Sequence, residues 1–256
     1  MLKDLKTQFN VLKALTIHHL QGQMSSYKYG FAWMLLEPLI YVAGFRLMRQ
    51  FLGNLAPPSG MTPLMFYVLG VLPLYLTFDA IKGFTVAASQ SKLLAFPRVT
   101  PIDMAVSSSF SSFTIYFVLF WIVVLPVSIY EHVWPPQNIL MVMLALVAGW
   151  LLGVAFSFSI SGAFRVFPPI KQFVGYMTFG LRIASGMFFC ITMVPLVAWP
   201  YLSWNPLLHV TELMRDGWFE SYVSPIASPR LVLEWILGLL LLGLSVERFM
   251  RRVPYL

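Results

Sequence analysis

The sequence predicts an all-α polytopic membrane protein with six transmembrane helices. Three observations carry that reading. The chain of 256 residues is 59% hydrophobic and 11% charged, with a mean hydropathy of +0.77, whereas soluble domains run near a quarter charged. Its apolar residues gather into segments near the ~20 residues that cross a hydrocarbon core about 30 Å thick. Breaks rich in proline, glycine and asparagine separate those segments.

Residues 1–30 read as a cytoplasmic amphipathic interface helix. Leu5, Phe9, Leu12, Leu15 and Ile17 fall between lysines and polar residues at roughly helical spacing, which suits an apolar face in the headgroups and lysines toward anionic lipid. A soluble leader helix is the alternative, but nothing soluble follows for it to pack on. No apolar core of a cleavable signal peptide precedes Phe31.

The remainder, 31–256, reads as one six-span domain. The spans fall near 33–52, 65–88, 104–129, 139–161, 173–195 and 231–250, and the first four are followed by "NLAPPSGMTP", "AFPRVTP", "YEHVWPPQN" and "RVFPPIK". An even number of spans puts both termini on one side. That side holds Lys3, Lys6, Lys13, Lys28, Lys92, Arg98, Arg165, Lys171, Arg248, Arg251 and Arg252. The other holds Arg215 and Arg230, with Arg46 and Arg49 near the far end of the first span. The imbalance places both termini in the cytoplasm and accounts for the net charge of +7 without nucleic acid.

Residues 198–230 are too long and aromatic for a turn and too charged to cross. Trp199, Tyr201, Trp204, Trp218, Phe219 and Tyr222 suit a membrane interface. Asn205-Pro206 has the form of a helix start, Asn as cap and Pro in the first turn, so a short helix is expected from about 206 to 219 at the outer surface.

Several chemistries lack their residues. There is no GxxxxGK[ST], so no phosphate-binding loop, and no paired Cys/His spacing for a metal; Cys190 is the single cysteine, so no disulfide forms within the chain. His18, His19, His132 and His209 read as plain polar residues. Ser107, Ser108, Ser109, Ser111 and Ser112 share one span, where serines serve close helix packing.

Four stretches coincide, in order and spacing, with one family: "YGFAWMLLEP", "FYVLGVLPLYLTFDAI", "LLAFPRVTPIDM" and "LSWNPLLHVTELMRDGWF". Together they resemble the permease subunit of type-2 ABC exporters for polysaccharides, most closely the KpsM-like capsule permeases of Gram-negative bacteria. The resemblance implies a multi-pass protein of the bacterial inner membrane, with re-entrant outer helices before the last span, over 196–228. It implies a homodimer driven by two separate ABC ATPase subunits, which carry the ATP and magnesium; no cofactor is expected in this chain. It also implies a lipid-linked anionic capsular polysaccharide as cargo, moved through a tunnel between the permeases toward a periplasmic and outer-membrane export complex. A basic pair ahead of Tyr29-Gly30 is absent, only Lys28 standing there. Asp216 beside Arg215 is a departure read as a local salt bridge.

Within this reading, 89–101 is the cytoplasmic coupling segment. Leu93, Leu94, Phe96 and Arg98 would meet the ATPase, and Pro97 and Pro101 would stiffen the exit; a plain inner loop resting on lipid is the alternative. Aromatic rings suit a conduit for sugars because they stack on C–H faces while leaving few deep traps. Trp33, Tyr41, Tyr67, Tyr75, Phe179, Phe188 and Phe189 have the position for it, against ordinary packing or lipid contact. Embedded charges discriminate better, since a basic residue at the bilayer centre costs on the order of 3 kcal/mol. Arg182, with Arg46 or Lys82, is expected to line the conduit, and Lys82 has Asp79 one turn away as a partner. The alternatives are snorkelling for Arg46 and Arg49 and a buried partner such as Glu37 for Arg182. Glu37, about 9 Å into its helix, stands beside helix-bending Pro38 and reads as part of a cytoplasmic gate. The outer segment is represented by Trp204, Asn205, Pro206, Glu212 and Arg215.

Other cargoes on the same architecture, O-antigen, teichoic acid or a drug, remain open. A membrane-embedded glycosyl- or acyltransferase is the rival from another class; Asp103, Glu131 and His132 are too scattered in sequence to supply its site.

Overall fold

The computed structural model of the protein describes residues 2–25, 36–44, 47, 57, 60–89, 99, 101–166 and 170–250. Their regular structure is helical, with no strand among them. In chain order they form α1 (Leu2–Ser25), α2 (residues 36–44), α3 (Pro63–Ser89), α4 (Pro101–Tyr130), α5 (Ile139–Val166), α6 (Ile170–Ile183), α7 (Trp199–Leu202), α8 (Pro206–Trp218) and α9 (Pro229–Met250).

Among the described residues, four helices are long and apolar enough to cross a membrane, at Pro63–Gly83, Asp103–Tyr130, Ile139–Ile160 and Pro229–Val246. They match the second, third, fourth and sixth expected spans; of the first, residues 36–44 and 47 are described. Through Leu76, α3 is apolar on all sides and lies at the centre, with Val68, Leu69, Val71 and Leu74 fully buried, as a helix stretch without a polar face must be. α4, α5 and α8 pack around it. α9 is two-faced. Val232 and Ile236 are buried, while Leu233, Leu237, Leu241 and Leu244 stand exposed three or four residues apart, a stripe suited to lipid.

The fifth expected span, 173–195, departs from expectation. Its helix α6 stops at Ile183 after 14 residues, about 21 Å at 1.5 Å per residue. Beyond it Gly186 takes φ +71°, which a side chain would resist, and two 3₁₀ turns follow, Ile191–Met193 and Leu196–Ala198. The chain then folds back through α8. Leu207, at its start, shares a cavity with Thr77 and Leu152, deep along α3 and α5. At its end the Gly217 carbonyl accepts from Asn138 N at 2.8 Å, at the head of α5.

α1 lies against α4 rather than standing free. Ser107 Oγ donates to Leu12 O (3.4 Å), Ser111 Oγ to Thr16 O (3.0 Å) and Gln8 Nε2 to Asp103 Oδ1 (2.6 Å). The serine stripe lets the two backbones approach, the packing role expected of it. Leu15 is buried there with Met104, Ala105 and Phe158, and Val99 packs on the same cluster. At the opposite end of α4, Glu131 caps α3: its carboxylate accepts from Leu64 N (3.1 Å) and Met65 N (2.8 Å), two of the N–H groups that a helix start leaves without partners.

Candidate functional site

Two polar constructions sit inside this apolar frame. The first runs along one face of α3 at Tyr75, Phe78, Asp79 and Lys82, the spacing that aligns side chains on a helix. Tyr75 is buried and its hydroxyl donates to Glu37 Oε1 at 3.2 Å. Tyr41, one turn beyond Glu37, meets the Tyr75 ring edge-on at 5.8 Å between centroids. From α6, the Arg182 guanidinium lies 4.8 Å from the Phe78 ring centroid and 5.5 Å from that of Tyr75. Cation–ring contacts of this kind contribute about 2 kcal/mol when desolvated. Tyr75 thus stands between the Glu37 carboxylate and the Arg182 cation. One turn further, Asp79 accepts from Ser112 Oγ (2.6 Å) and lies 3.7 Å from the exposed Lys82 ammonium. Glu37 is itself exposed while its neighbour Pro38 is buried. The stripe therefore offers the half-buried Tyr41 ring, a carboxylate and cations to whatever borders it, and no nucleophile–base pair.

The second construction is centred on α8. Asn205 Oδ1 accepts from Leu207 N (3.1 Å), with Pro206 in the first turn, the start that the Asn-Pro pair predicts. The Asn205 amide also donates to Ala184 O at 2.9 Å. Thr211 Oγ1 donates to Ser185 O (2.8 Å) and Leu208 O (2.9 Å). Glu212 and Arg215 have fully buried side chains and face each other across 3.8 Å. Arg215 donates to Phe189 O and Gly186 O, both at 2.7 Å, and covers the Phe66 ring at 4.0 Å. Glu212 accepts from Ile191 N (3.0 Å), the Tyr222 hydroxyl (2.5 Å) and Ser224 Oγ (2.6 Å). Burial pulls the Arg215 guanidinium down from its ordinary value, and the Glu212 charge opposes that. Burial, then the Glu212 charge and its hydrogen bond, push the Tyr222 phenol up. The neutral phenol is thereby kept as a donor. One buried ion pair thus holds the 184–191 turn on one side and the 219–224 turn on the other.

His209 belongs to the same unit. Its Nδ1 accepts from Ser228 N (3.2 Å), so Nε2 carries the hydrogen that meets Ser203 O at 2.6 Å. It is a buried structural histidine. The salt bridge expected of Asp216 with Arg215 is replaced: Arg215 turns inward to Glu212, and Asp216 accepts from Ser224 N at 3.2 Å. Arg215 points into the bundle because three backbone carbonyls left without helical partners converge there.

Of the remaining expected residues, Phe188 is half-buried against the main core, and Trp204 is largely exposed with its ring 6.1 Å from that of Trp235. Tyr67 is buried, and Phe179 is exposed. Trp33, Arg46 and the coupling residues Leu93, Leu94, Phe96 and Arg98 lie outside the described residues. Sequence reasoning missed the joining role of Tyr75 and the partners Tyr222 and Ser224. No local pattern ties these last two to a glutamate ten and twelve residues earlier. No group of three or more His, Cys, Asp or Glu residues among the described ones is arranged to hold a metal.

No family model matches the chain. Curated proteins do. It is 25% identical over 243 residues to the polysialic acid transport protein KpsM of Escherichia coli, covering 93% of this chain and 92% of that one. Identity to the capsule polysaccharide export inner-membrane protein CtrC of Neisseria meningitidis serogroup B is 26%, over 98% of this chain and 95% of that one. Identity to the corresponding protein BexB of Haemophilus influenzae is 23%, with the same two shares. Over nearly its whole length, at about a quarter identity, the chain is similar to capsule polysaccharide export inner-membrane proteins.

Proposed function

We propose that this chain is the inner-membrane permease subunit of an ATP-driven exporter of lipid-linked capsular polysaccharide. Two copies would enclose the passage, and a separate ATPase would drive it. The observation that carries the reading is the collinear similarity to three capsule export proteins, running almost end to end. The arrangement of charge supports it. Glu37, Arg182 and Lys82 stand along one side of α2, α3 and α6 where hydrocarbon would reject them, and a wet passage beside a second copy would accept them. In that passage Arg182 meets anionic groups of the glycolipid, and the half-buried Tyr41 ring offers a face to sugar.

The orientation follows the distribution of lysine and arginine, with both termini cytoplasmic and α1 lying on the inner surface. In this frame the segment from Gly186 to Trp218 is a re-entrant structure on the periplasmic side. Its support is the descent of the α8 start to the level of Leu152. The Glu212–Arg215 pair makes that structure rigid. Trp204, exposed at its deep end, is placed to touch cargo or lipid. The coupling segment 89–101 adjoins the α1–α4 cluster through Val99, so a push from the ATPase would reach α1 and α4 together.

Deleting the gene in its own host is the direct test. Export through this chain predicts loss of surface capsule with glycan retained inside the cell, restored by a plasmid copy. Undiminished glycan at the surface would reject the function.

A further inference from the structure

At the end of the bundle far from α1, the loop between α4 and α5 and the turn after α8 enclose a cleft of about 470 Å³. Trp134, His132, Gln137, Glu220 and Ser221 line it, and Gly60 lies against Ser221. From this geometry we infer that the cleft is a sugar-binding site, taking one or two uncharged hexose units of a glycan. The inference rests on the proposed export role for the source of its glycan, though not for the binding itself.

The walls are built before any ligand arrives. Trp218 is buried and its Nε1 donates to Val133 O at 3.2 Å. Gln137 N donates to Trp218 O (3.2 Å) and Asn138 N to Gly217 O (2.8 Å). The loop carrying Trp134 is therefore tied to the end of α8 by three hydrogen bonds. Trp218 also backs the Trp134 ring, at 6.2 Å between centroids and 52° between planes. Trp134 itself is 46% exposed. One indole is thus held from behind while part of it faces an open cleft.

A sugar ring has an apolar C–H face and a rim of hydroxyls. An exposed indole flanked by a carboxylate, an amide, an imidazole and a hydroxyl complements both features. The volume lies in the range of small-ligand pockets, whose few polar groups set orientation. A tryptophan serving only as a membrane anchor would present its ring to headgroups from a convex surface. This one sits in a concavity with hydrogen-bonding side chains around it. Glu220 is the carboxylate among the lining residues, so an acidic sugar would be repelled and a neutral one accepted.

The test uses the full-length chain in lipid nanodiscs, with maltotriose and chitotriose as neutral probes and trigalacturonate as the acidic one. Binding is read by saturation-transfer NMR and by tryptophan fluorescence. We expect weak, saturable binding of a neutral trisaccharide and none of trigalacturonate. Trp134→Ala should weaken binding at least tenfold and Gln137→Ala about threefold, with gel filtration verifying that each variant is folded. Glu220→Gln, which keeps the shape, should reduce the discrimination against trigalacturonate. Absence of saturable binding by both neutral probes, or unchanged affinity in the folded Trp134→Ala protein, overturns the site. The assay contains no ATPase and no export substrate, so its failure leaves the export reading standing, and failed export leaves the site standing.

Discussion

Gly70 marks the point where α3 makes room for Arg215. A Cβ there would lie 2.5 Å from both the Arg215 Nη2 and the Met187 carbonyl oxygen. In a helix interior, Gly→Ala ordinarily stabilises by roughly 0.5–1 kcal/mol. Here Gly70→Ala should do the reverse, because the displaced guanidinium loses its carbonyl partners while staying buried. A buried hydrogen bond to a charged group is worth about 1.5–3 kcal/mol. A fall in the thermal unfolding midpoint of the purified protein is the expected outcome, and a rise would show that Arg215 has slack. Arg182 behaves differently, being only half-buried against two rings. Arg182→Met should lower capsule export severalfold while leaving the protein and its complex assembled. Full export would remove the guanidinium from the proposed passage. Arg182 was visible in the sequence as an expensive embedded residue, whereas Arg215 read as an outer residue paired with Asp216. Whether a cation ends on backbone carbonyls or on aromatic faces depends on contacts from other helices.

At the scale of elements, α1 is docked by side-chain-to-backbone hydrogen bonds and a small apolar cluster rather than by lipid alone. His19 is buried in α1 and its Nε2 has no hydrogen-bond partner among the described residues. Burial, and then the neighbouring His18, pull its pKa below the ordinary 6.5. The docked helix therefore binds fewer protons than an undocked one once pH falls below about 6.5. The contribution to docking is fully present above that pH and declines as pH drops beneath it. Hydrogen exchange of residues 7–23, corrected for intrinsic rates, should rise between about pH 7.5 and pH 5.5, and His19→Phe should remove the difference. A wild-type response unchanged in His19→Phe would assign the effect elsewhere. The other element that sequence alone misjudged is α6. Hydropathy carries the apolar run to residue 195, yet the helix stops at Ile183. Hydropathy records transfer preference only. The break comes from Gly186 and from carbonyls captured by Arg215 and Asn205, residues separated by 21 or more positions. α8 was legible from both ends, because Asn205-Pro206 is a local start signal and its cap closes within two residues.

For the whole molecule, the proposed cycle needs force from an external motor to reach the α2–α3–α6 stripe. The expected contact is the 89–101 segment, between the ends of α3 and α4. Joint replacement Leu94→Asp and Phe96→Asp should abolish co-purification of the ATPase and stop export while the permease still folds. Undiminished complex would place coupling on another surface, α1 being the next candidate. The length, hydropathy and loop charges of the sequence were enough for a helical membrane protein, four of its spans, its proposed orientation and the start of α8. These are one-dimensional properties, set by each segment's own exchange between water and hydrocarbon. Tertiary structure alone decided that Glu212 pairs with Arg215 rather than leaving that role to Asp216, that Tyr75 stands between Glu37 and Arg182, and that α6 ends early. Inside an apolar bundle a buried charge or carbonyl takes the partner that packing brings within reach, and that choice depends on distances between helices which sequence spacing does not contain.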